Sequence, residues 1–375
     1  MICVSRVNCI FAQKIFSMNK DAKIYVAGHL GLVGSAIWNA LERKGYSNLI
    51  GKTIDELDLQ DNVAVNSFFK EYRPDFVFLA AAYVGGIMAN NTYRADFIFR
   101  NLSIQNNIIS NCYIHGVKKL LFLGSTCIYP RDAEQPIKET ALLTGELEYT
   151  NEPYAIAKIA GLKMCESFNL QYGTNFIAVM PTNLYGPNDN FDLERSHVLP
   201  AMIRKIHLAK CLYNKDWENV RSDLRKRPVE GVSGDAGEDE IIDVLLKYGI
   251  TTSGVALWGT GSPLREFLWS EEMADACVYI MENVDFNDLK NSSKEVRNNH
   301  INIGTGKEIS IKALAELIAA TVGFEGTLSF DATKPDGTMR KLTNVSKLHA
   351  LGWHHKIEIE EGIKRIYEWY IAKVK

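Results

Sequence analysis

The chain has 375 residues and a formal net charge of −3, with 46% hydrophobic and 23% charged residues. That balance excludes wholesale disorder and collagen-like or coiled-coil fibres. The length suggests two domains, or one large domain with an added lobe. No block of like charge forms a basic tail, so neither general nucleic-acid binding nor membrane binding is expected. A local basic pocket for one phosphorylated ligand stays open. Seven cysteines without a C-x-x-C pair imply no disulfide framework and no metal site, and they suit a reducing cytoplasm. No apolar run approaches the ~18 residues that span a bilayer. Residues 1–21 read as a loose N-terminal extension, because Arg6 and Lys14 interrupt any signal-peptide pattern.

In chain order, residues 23–27 (KIYVA) form a short apolar run ending in a glycine turn, and 32–43 follow with helical spacing. An apolar pair at 49–50, a helical stretch at 62–71 and a strand at 76–80 (FVFLA) come next. A helix over 95–115 leads to a strand at 119–123 (KLLFL), and a helix over 154–172 leads to a strand at 176–180 (FIAVM). Strand and helix alternate with crossover-sized spacing, which predicts an α/β fold: a Rossmann-type, doubly wound parallel sheet over 22–185. From 186 to 375 the rhythm loosens into a smaller α/β lobe. Helices are expected there over 198–208, 271–283, 311–321 and 359–372, and a strand over 255–258. Residues 211–254 are dense in charge and hold Pro228 and one amphipathic piece, 239–248. They read as a surface insertion.

Three constellations carry chemistry. Gly28-His29-Leu30-Gly31-Leu32-Val33-Gly34 stands between the first strand and first helix. A dinucleotide pyrophosphate needs close backbone approach and free N–H groups at a helix N-terminus, and this G-x-x-G-x-x-G turn offers both. After the second strand, Lys52 precedes the first acid, Asp55. A cation there accommodates a 2′-phosphate, so the cofactor leans to NADPH over NADH. Third, Tyr154 and Lys158 lie at i and i+4 on one helix face. An ammonium beside a phenol is expected to lower its pKa and make it a proton donor and acceptor. The pair follows a strand ending in Gly124-Ser125-Thr126, where a hydroxyl can hydrogen-bond a substrate carbonyl.

Longer blocks then fall into place: AGHLGLVGSAI (27–37), LAAAYVGGIMANNTY (79–93), LFLGSTCIYP (121–130), TNEPYAIAKIAGLKMCE (150–166), VMPTNLYGPNDNF (179–191), SHVLPAMIRK (196–205), WGTGSPLREFLW (258–269) and KPDGTMRKL (334–342). From about residue 22 onward the chain resembles the GDP-L-fucose synthases. These are extended short-chain dehydrogenases/reductases that epimerise C3 and C5 and reduce C4 of GDP-4-keto-6-deoxy-mannose.

The resemblance implies a role for each matching residue. Tyr154 and Lys158 would be the catalytic pair, with Ser125 polarising the ketone and Cys127 and His197 the acid/base pair for epimerisation. Asp58, Leu59, Leu123, Gly124, Thr126, Pro181, Asn183, Leu184 and His197 would join the glycine turn, Lys52 and Lys158 around NADPH. Lys205, Trp258, Arg265, Asp336 and Lys341 would hold the GDP-sugar. The resemblance also implies a cytoplasmic homodimer. Taken alone, Cys127 reads as a core cysteine and His197 as a structural hydrogen-bonder.

The chain departs from the family pattern at several places. Leu30 and Ile54 replace basic residues expected at the 2′-phosphate. Tyr83 replaces lysine, Arg94 replaces proline, Trp269 replaces histidine and Thr126 replaces serine. Tyr83 and Arg94 are expected to rim the active site. A second reading is therefore a C4 reductase acting on another GDP-4-keto sugar, such as a 6-deoxy-heptose of a surface polysaccharide. A third is a non-catalytic nucleotide-binding protein, against which the intact Ser125, Tyr154 and Lys158 argue.

Overall fold

A computed structural model describes residues 18–290, 295–334 and 336–374. The expected loose extension lies outside the described residues as far as residue 17. Met18 is buried, and its carbonyl accepts a hydrogen bond from the Tyr46 hydroxyl at 3.2 Å.

The first half of the chain alternates β1 (Ile24–Ala27), α1 (Leu32–Arg43), β2 (Leu49–Ile50), α2 (Asn62–Tyr72), β3 (Phe76–Leu79), α3 (Ile87–Thr92), α4 (Arg94–Ile114), β4 (Lys119–Leu123), α5 (Glu152–Tyr172) and β5 (Phe176–Pro181). The second half holds β6 (Asn183–Tyr185), α6 (Val198–Tyr213), α7 (Trp217–Lys226), α8 (Glu238–Lys247), β7 (Gly254–Trp258), β8 (Leu264–Arg265), β9 (Phe267–Trp269) and α9 (Ser270–Asn283). It ends with β10 (Ile301–Ile303), β11 (Ile309–Ser310), α10 (Ile311–Val322), β12 (Thr327–Asp331), β13 (Arg340–Lys341), α11 (Ser346–Ala350) and α12 (Ile359–Val374).

Six parallel strands form the main sheet in the order β10-β5-β4-β3-β1-β2. Its inner strands are apolar at nearly every position because helices cover both faces. Ile24, Val26, Phe76, Phe78, Leu121 and Leu123 pack on the side of α1 and α9. Their alternates Tyr25, Ala27, Val77, Leu79, Leu120 and Phe122 pack on the side of α2, α4 and α5. The strand order reverses at β1, whose neighbours β2 and β3 are reached in opposite directions. A crevice therefore opens beyond the carboxyl ends of β1 and β3, where ligands bind in open α/β sheets. The sixth strand and α9 come from the second half of the chain, so the polypeptide returns to the sheet after building much of the other lobe.

That lobe has its own core, formed by α6, α7, α8, α10 and α12 with β7 and β9. Residues 211–254, expected as a surface insertion, are part of it. Val220, Leu224, Ile241, Val244, Leu245 and Ile250 are fully or almost fully buried. The charges of α7 face outward, apart from Asp223, which is buried against Arg204 of α6 at 2.8 Å. High charge density misled the reading because only one face of a ten-residue helix needs to be apolar.

Candidate active site

A cleft of about 1550 Å³ runs between the lobes, larger than the few hundred to ~1,000 Å³ of a pocket for one small ligand. Every residue given a catalytic, cofactor or substrate role from the sequence lines it, from the glycine turn and Lys52 to Trp258, Asp336 and Lys341.

The glycine turn is sterically obligatory. Gly28 has φ +84°, and a Cβ there would stand 2.8 Å from Ala81 N; a Cβ on Gly34 would stand 2.0 Å from Gly28 O. Gly31 caps α1 without any side-chain hydrogen bond, so the N–H groups of the first turn face the cleft with the helix dipole behind them. This cradle fits a dinucleotide pyrophosphate. Beside it, Lys52 lies 5.1 Å from the Tyr72 ring centre and 3.7 Å from Glu56, and contact with Tyr72 and Glu56 raises its pKa. Leu30 and Ile54 stand exposed, at 65% and 73%, leaving Lys52 as the cation among the residues expected at a 2′-phosphate.

Further along the wall, Leu123, Gly124 and Thr126 follow β4. Asp58 folds onto the N–H of Gln60 at 2.9 Å, and the Leu59 carbonyl accepts from Asn107 at 2.9 Å. Pro181 ends β5, while Asn183 and Leu184 lie in β6; the Asn183 amide donates to the Glu266 carbonyl at 2.8 Å.

Ser125 caps the short helical turn 126–128, its hydroxyl oxygen accepting from Cys127 N–H at 3.3 Å. The Ser125 O–H is thereby left to donate into the cleft. Lys158 is buried on α5, donates to the Leu123 carbonyl at 2.9 Å and lies 5.6 Å from the Tyr154 ring centre. Burial lowers its pKa to about 8. Burial also pushes the Tyr154 phenol well above its ordinary value, with the Cys127 thiol nearby adding to the shift. This reverses the direction expected from the Tyr-Lys spacing: the ammonium is engaged elsewhere, and desolvation governs the phenol. Tyr154 is a neutral acid here. Cys127 is buried and within electrostatic reach of Tyr154, Lys158 and Lys341.

The second lobe supplies the opposite wall. His197 caps α6 at the edge of the cleft, and the surrounding walls lower its pKa, leaving a neutral imidazole near pH 7. Two turns on, Lys205 is buried, and burial brings its pKa to about 8. Burial likewise lowers the pKa of Arg265 on β8 and of Lys341 on β13. Such a set of desolvated cations favours an anionic ligand. Trp258 exposes 56% of its surface beside Lys334. The Asp336 carboxylate accepts from Thr260 N–H and Oγ1 at 2.7 and 2.8 Å, so it holds the loop that follows Trp258.

Tyr83 lines the cleft, whereas Arg94 does not. Contrary to its expected place on the rim, Arg94 donates to the Tyr149 carbonyl at 2.8 Å and pairs with Glu152 at 3.6 Å, at the start of α5. Trp269 is buried in the second core. The sequence reading missed Glu266 and Asn101. Glu266 is fully buried and accepts from Thr305, Gly306 and Thr343. Asn101 occupies an inward position on α4, among Phe97, Gln105 and Ile108. Its signal was a polar residue at a place the apolar stripe reserves for the core.

Comparison with known proteins agrees with this geometry. The model of the NAD dependent epimerase/dehydratase family matches residues 24–224 and 232–304. GDP-L-fucose synthase 1 of Arabidopsis thaliana is 50% identical, over 96% of this chain and 97% of the relative. The chain belongs to the GDP-L-fucose synthase family. Two solved relatives of this family member come from Campylobacter jejuni. A GDP-6-OMe-4-keto-L-xylo-heptose reductase is 47% identical with TM-score 0.89, covering 95% and 99% of the two chains. A GDP-mannoheptose C4 reductase with NADP bound is 46% identical with TM-score 0.83, covering 94% and 99%. Among the described residues no helix is long and apolar enough to cross a membrane, and no His, Cys, Asp and Glu cluster could hold a metal ion.

Proposed function

We propose that this protein reduces the C4 ketone of a GDP-4-keto-6-deoxy sugar with NADPH, and that Cys127 and His197 invert C3 and C5 of the same substrate. One observation carries the reading. The cleft places a glycine cradle and the Ser125, Tyr154 and Lys158 set on one wall, and desolvated cations on the other.

Lys205, Arg265 and Lys341 hold the substrate pyrophosphate, Arg265 as a fork and the lysines as point charges. Trp258 offers an aromatic face to the guanine. Ser125 donates to the C4 oxygen. The glycine turn would hold the pyrophosphate of NADPH, which when bound would supply a hydride for C4. Tyr154, neutral through burial, gives its phenolic proton to the resulting alkoxide, completing the alcohol. Lys158 stands behind the tyrosine. For epimerisation, one of Cys127 and His197 removes a proton from the carbon next to the ketone, and the other returns a proton to the opposite face. The reading includes a cytoplasmic homodimer; exposed Phe99 on α4 and Leu170 on α5 would be covered in such a pair.

A second reading is a C4 reductase alone, acting on a GDP-4-keto-6-deoxy-heptose. It is supported by Tyr83, an aromatic residue in the cleft where the family carries lysine, and by the Campylobacter jejuni relatives.

The test is NADPH oxidation with a panel of GDP-4-keto sugars, with NMR of each product in deuterated water. Wild-type protein that consumes no NADPH with any of them sinks both readings. Deuterium entering C3 and C5, and lost in Cys127→Ser, establishes the bifunctional enzyme. Reduction without exchange leaves the reductase.

A further inference from the structure

The wall beside Tyr154 is aromatic and unusually well braced. The segment after β3 carries Tyr83, whose backbone is clamped at both ends by one side chain. Tyr83 N–H donates to Asn101 Oδ1 at 3.0 Å, and Asn101 Nδ2 donates to Tyr83 O at 2.9 Å and to Phe97 O at 2.7 Å. The Tyr83 ring meets Phe97 edge-on at 4.8 Å between centres, and Phe97, fully buried, meets Tyr154 edge-on at 6.4 Å. The Arg100 guanidinium lies 4.8 Å from the Tyr83 ring centre and pairs with Asp96 at 3.4 Å. Gly85 leaves room for this packing, since a Cβ there would stand 3.1 Å from the Phe97 ring.

Two consequences follow. First, position 83 lines the cleft and is clamped to α4 through Asn101, one ring away from the phenol that protonates C4, so what it presents faces the part of the sugar next to C4. Second, Arg100 disfavours a cation at this position. A lysine at 83 would set an ammonium against a guanidinium, a like-charge contact that costs free energy in a half-buried site. Tyr83 and Arg100 are a matched pair.

We infer that the Tyr83–Arg100 pair sets sugar specificity, giving the subsite beside C4 a neutral aromatic face that receives the carbon chain attached at C5. An aromatic face gains by contact with CH groups and tolerates a hydroxyl at its edge. It therefore suits a chain of two carbons, CH2–CH2OH, over a bare methyl. This inference rests on the proposed reduction of a GDP-4-keto sugar and adds which part of the sugar is read, and by which residues.

The experiment measures kcat/KM for two GDP-4-keto-6-deoxy sugars, one with a methyl at C5 and one with a two-carbon chain. It uses wild type, Tyr83→Ala, Tyr83→Lys and the double variant Tyr83→Lys/Arg100→Gln, with NADPH binding followed by fluorescence. One methylene in a fitted pocket is worth about tenfold or more. The expected result is a wild-type preference for the longer chain that falls by about tenfold in Tyr83→Ala, through KM more than kcat, with NADPH affinity unchanged. Tyr83→Lys should lose activity on both sugars, and the double variant should regain it with a preference for the methyl sugar. A preference ratio unchanged in Tyr83→Ala, or a uniform fall on both sugars, overturns the inference while leaving the reductase standing. Wild type inactive on both sugars overturns the reductase and this inference together.

Discussion

Tyr154 shows how much of this site is decided by solvation at one residue. Its spacing from Lys158 is what a short-chain dehydrogenase pattern demands, yet the ammonium donates to Leu123 O, and burial raises the phenol. A neutral phenol is the state a ketone reduction requires of its proton donor. Tyr154→Phe keeps the edge contact with Phe97 and removes only the proton. We expect kcat to fall by about 10²–10⁴ with NADPH binding nearly intact in a fluorescence titration; near wild-type turnover would remove Tyr154 from the role. Lys158 and Lys205 give a second expectation. Both are depressed to about 8 by burial, against roughly 10.4 in an unfolded chain. Between those values the unfolded chain keeps protons that the folded one has released, so stability rises with pH across that window. Below about 8 both lysines are charged in both states, and the cost is constant. The buried thiols of Cys112, Cys165, Cys211 and Cys277, held above their ordinary pKa, pull the other way above about 8.5, so the lysine's share is read as a difference: the denaturation midpoint of the nucleotide-free wild type minus that of Lys158→Met should rise from pH 8 to about 9.5. A difference that does not change with pH would show that Lys158 is not the group responsible.

Elements position these residues through polar contacts that hydrophobic patterns do not reveal. Glu266 sits between Arg265 of β8 and Phe267 of β9 and is fully buried. One carboxylate oxygen accepts from Thr305 and Gly306 N–H at 2.6 and 2.7 Å. The other accepts from Thr343 N–H and Oγ1 at 3.0 and 2.6 Å. It therefore ties the Arg265 strand to the segment that follows Lys341. Glu266→Gln keeps the shape but turns an NH2 group toward N–H donors, losing acceptor sites at about 1–3 kcal/mol for each group left unsatisfied. A Tm several degrees lower and a raised KM for the GDP-sugar, with kcat less affected, are expected; wild-type thermal stability would show that the carboxylate is dispensable. The same limit marks what the sequence could tell. The inner strands were legible because burial on both faces makes them continuously apolar, and the glycine turn because no other residue fits its φ and its contacts. β10 was not legible, since three residues, Ile-Asn-Ile, carry no period. α7 was hidden because Val220 and Leu224 are its only apolar residues after Trp217. Glu266 looks like a surface residue until its partners, 39 to 77 positions away, are in place, whereas Asn101 was marked only by being polar on the inward stripe of α4.

At the scale of the whole molecule, the cleft works only if the second lobe presents its cations to the sheet that holds the cradle. That lobe is organised around a buried charge. Arg204 and Asp223 have no exposure and meet at 2.8 Å, Tyr370 donates to the second Asp223 oxygen at 2.5 Å, and Arg204 also donates to the Phe191 carbonyl at 3.2 Å. Arg204 is the sequence neighbour of Lys205, so the pair fixes the rotation of α6 that turns Lys205 into the cleft. A buried ion pair adds little net stability over a well-packed apolar pair, but removing one partner strands the other without solvent, at about 3–5 kcal/mol. Asp223→Ala should lower the unfolding free energy by about that amount. Asp223→Leu combined with Arg204→Met should recover part of the loss, because the Arg204 charge is then no longer stranded, while Arg227 loses the carboxylate it meets at 3.6 Å and Tyr370 its acceptor. The cradle belongs to the other core, so the single variant should weaken GDP-sugar binding at temperatures where NADPH still binds. Equal losses of both ligands in Asp223→Ala would show instead that the lobes unfold as one unit and that the pair serves the molecule rather than its second wall.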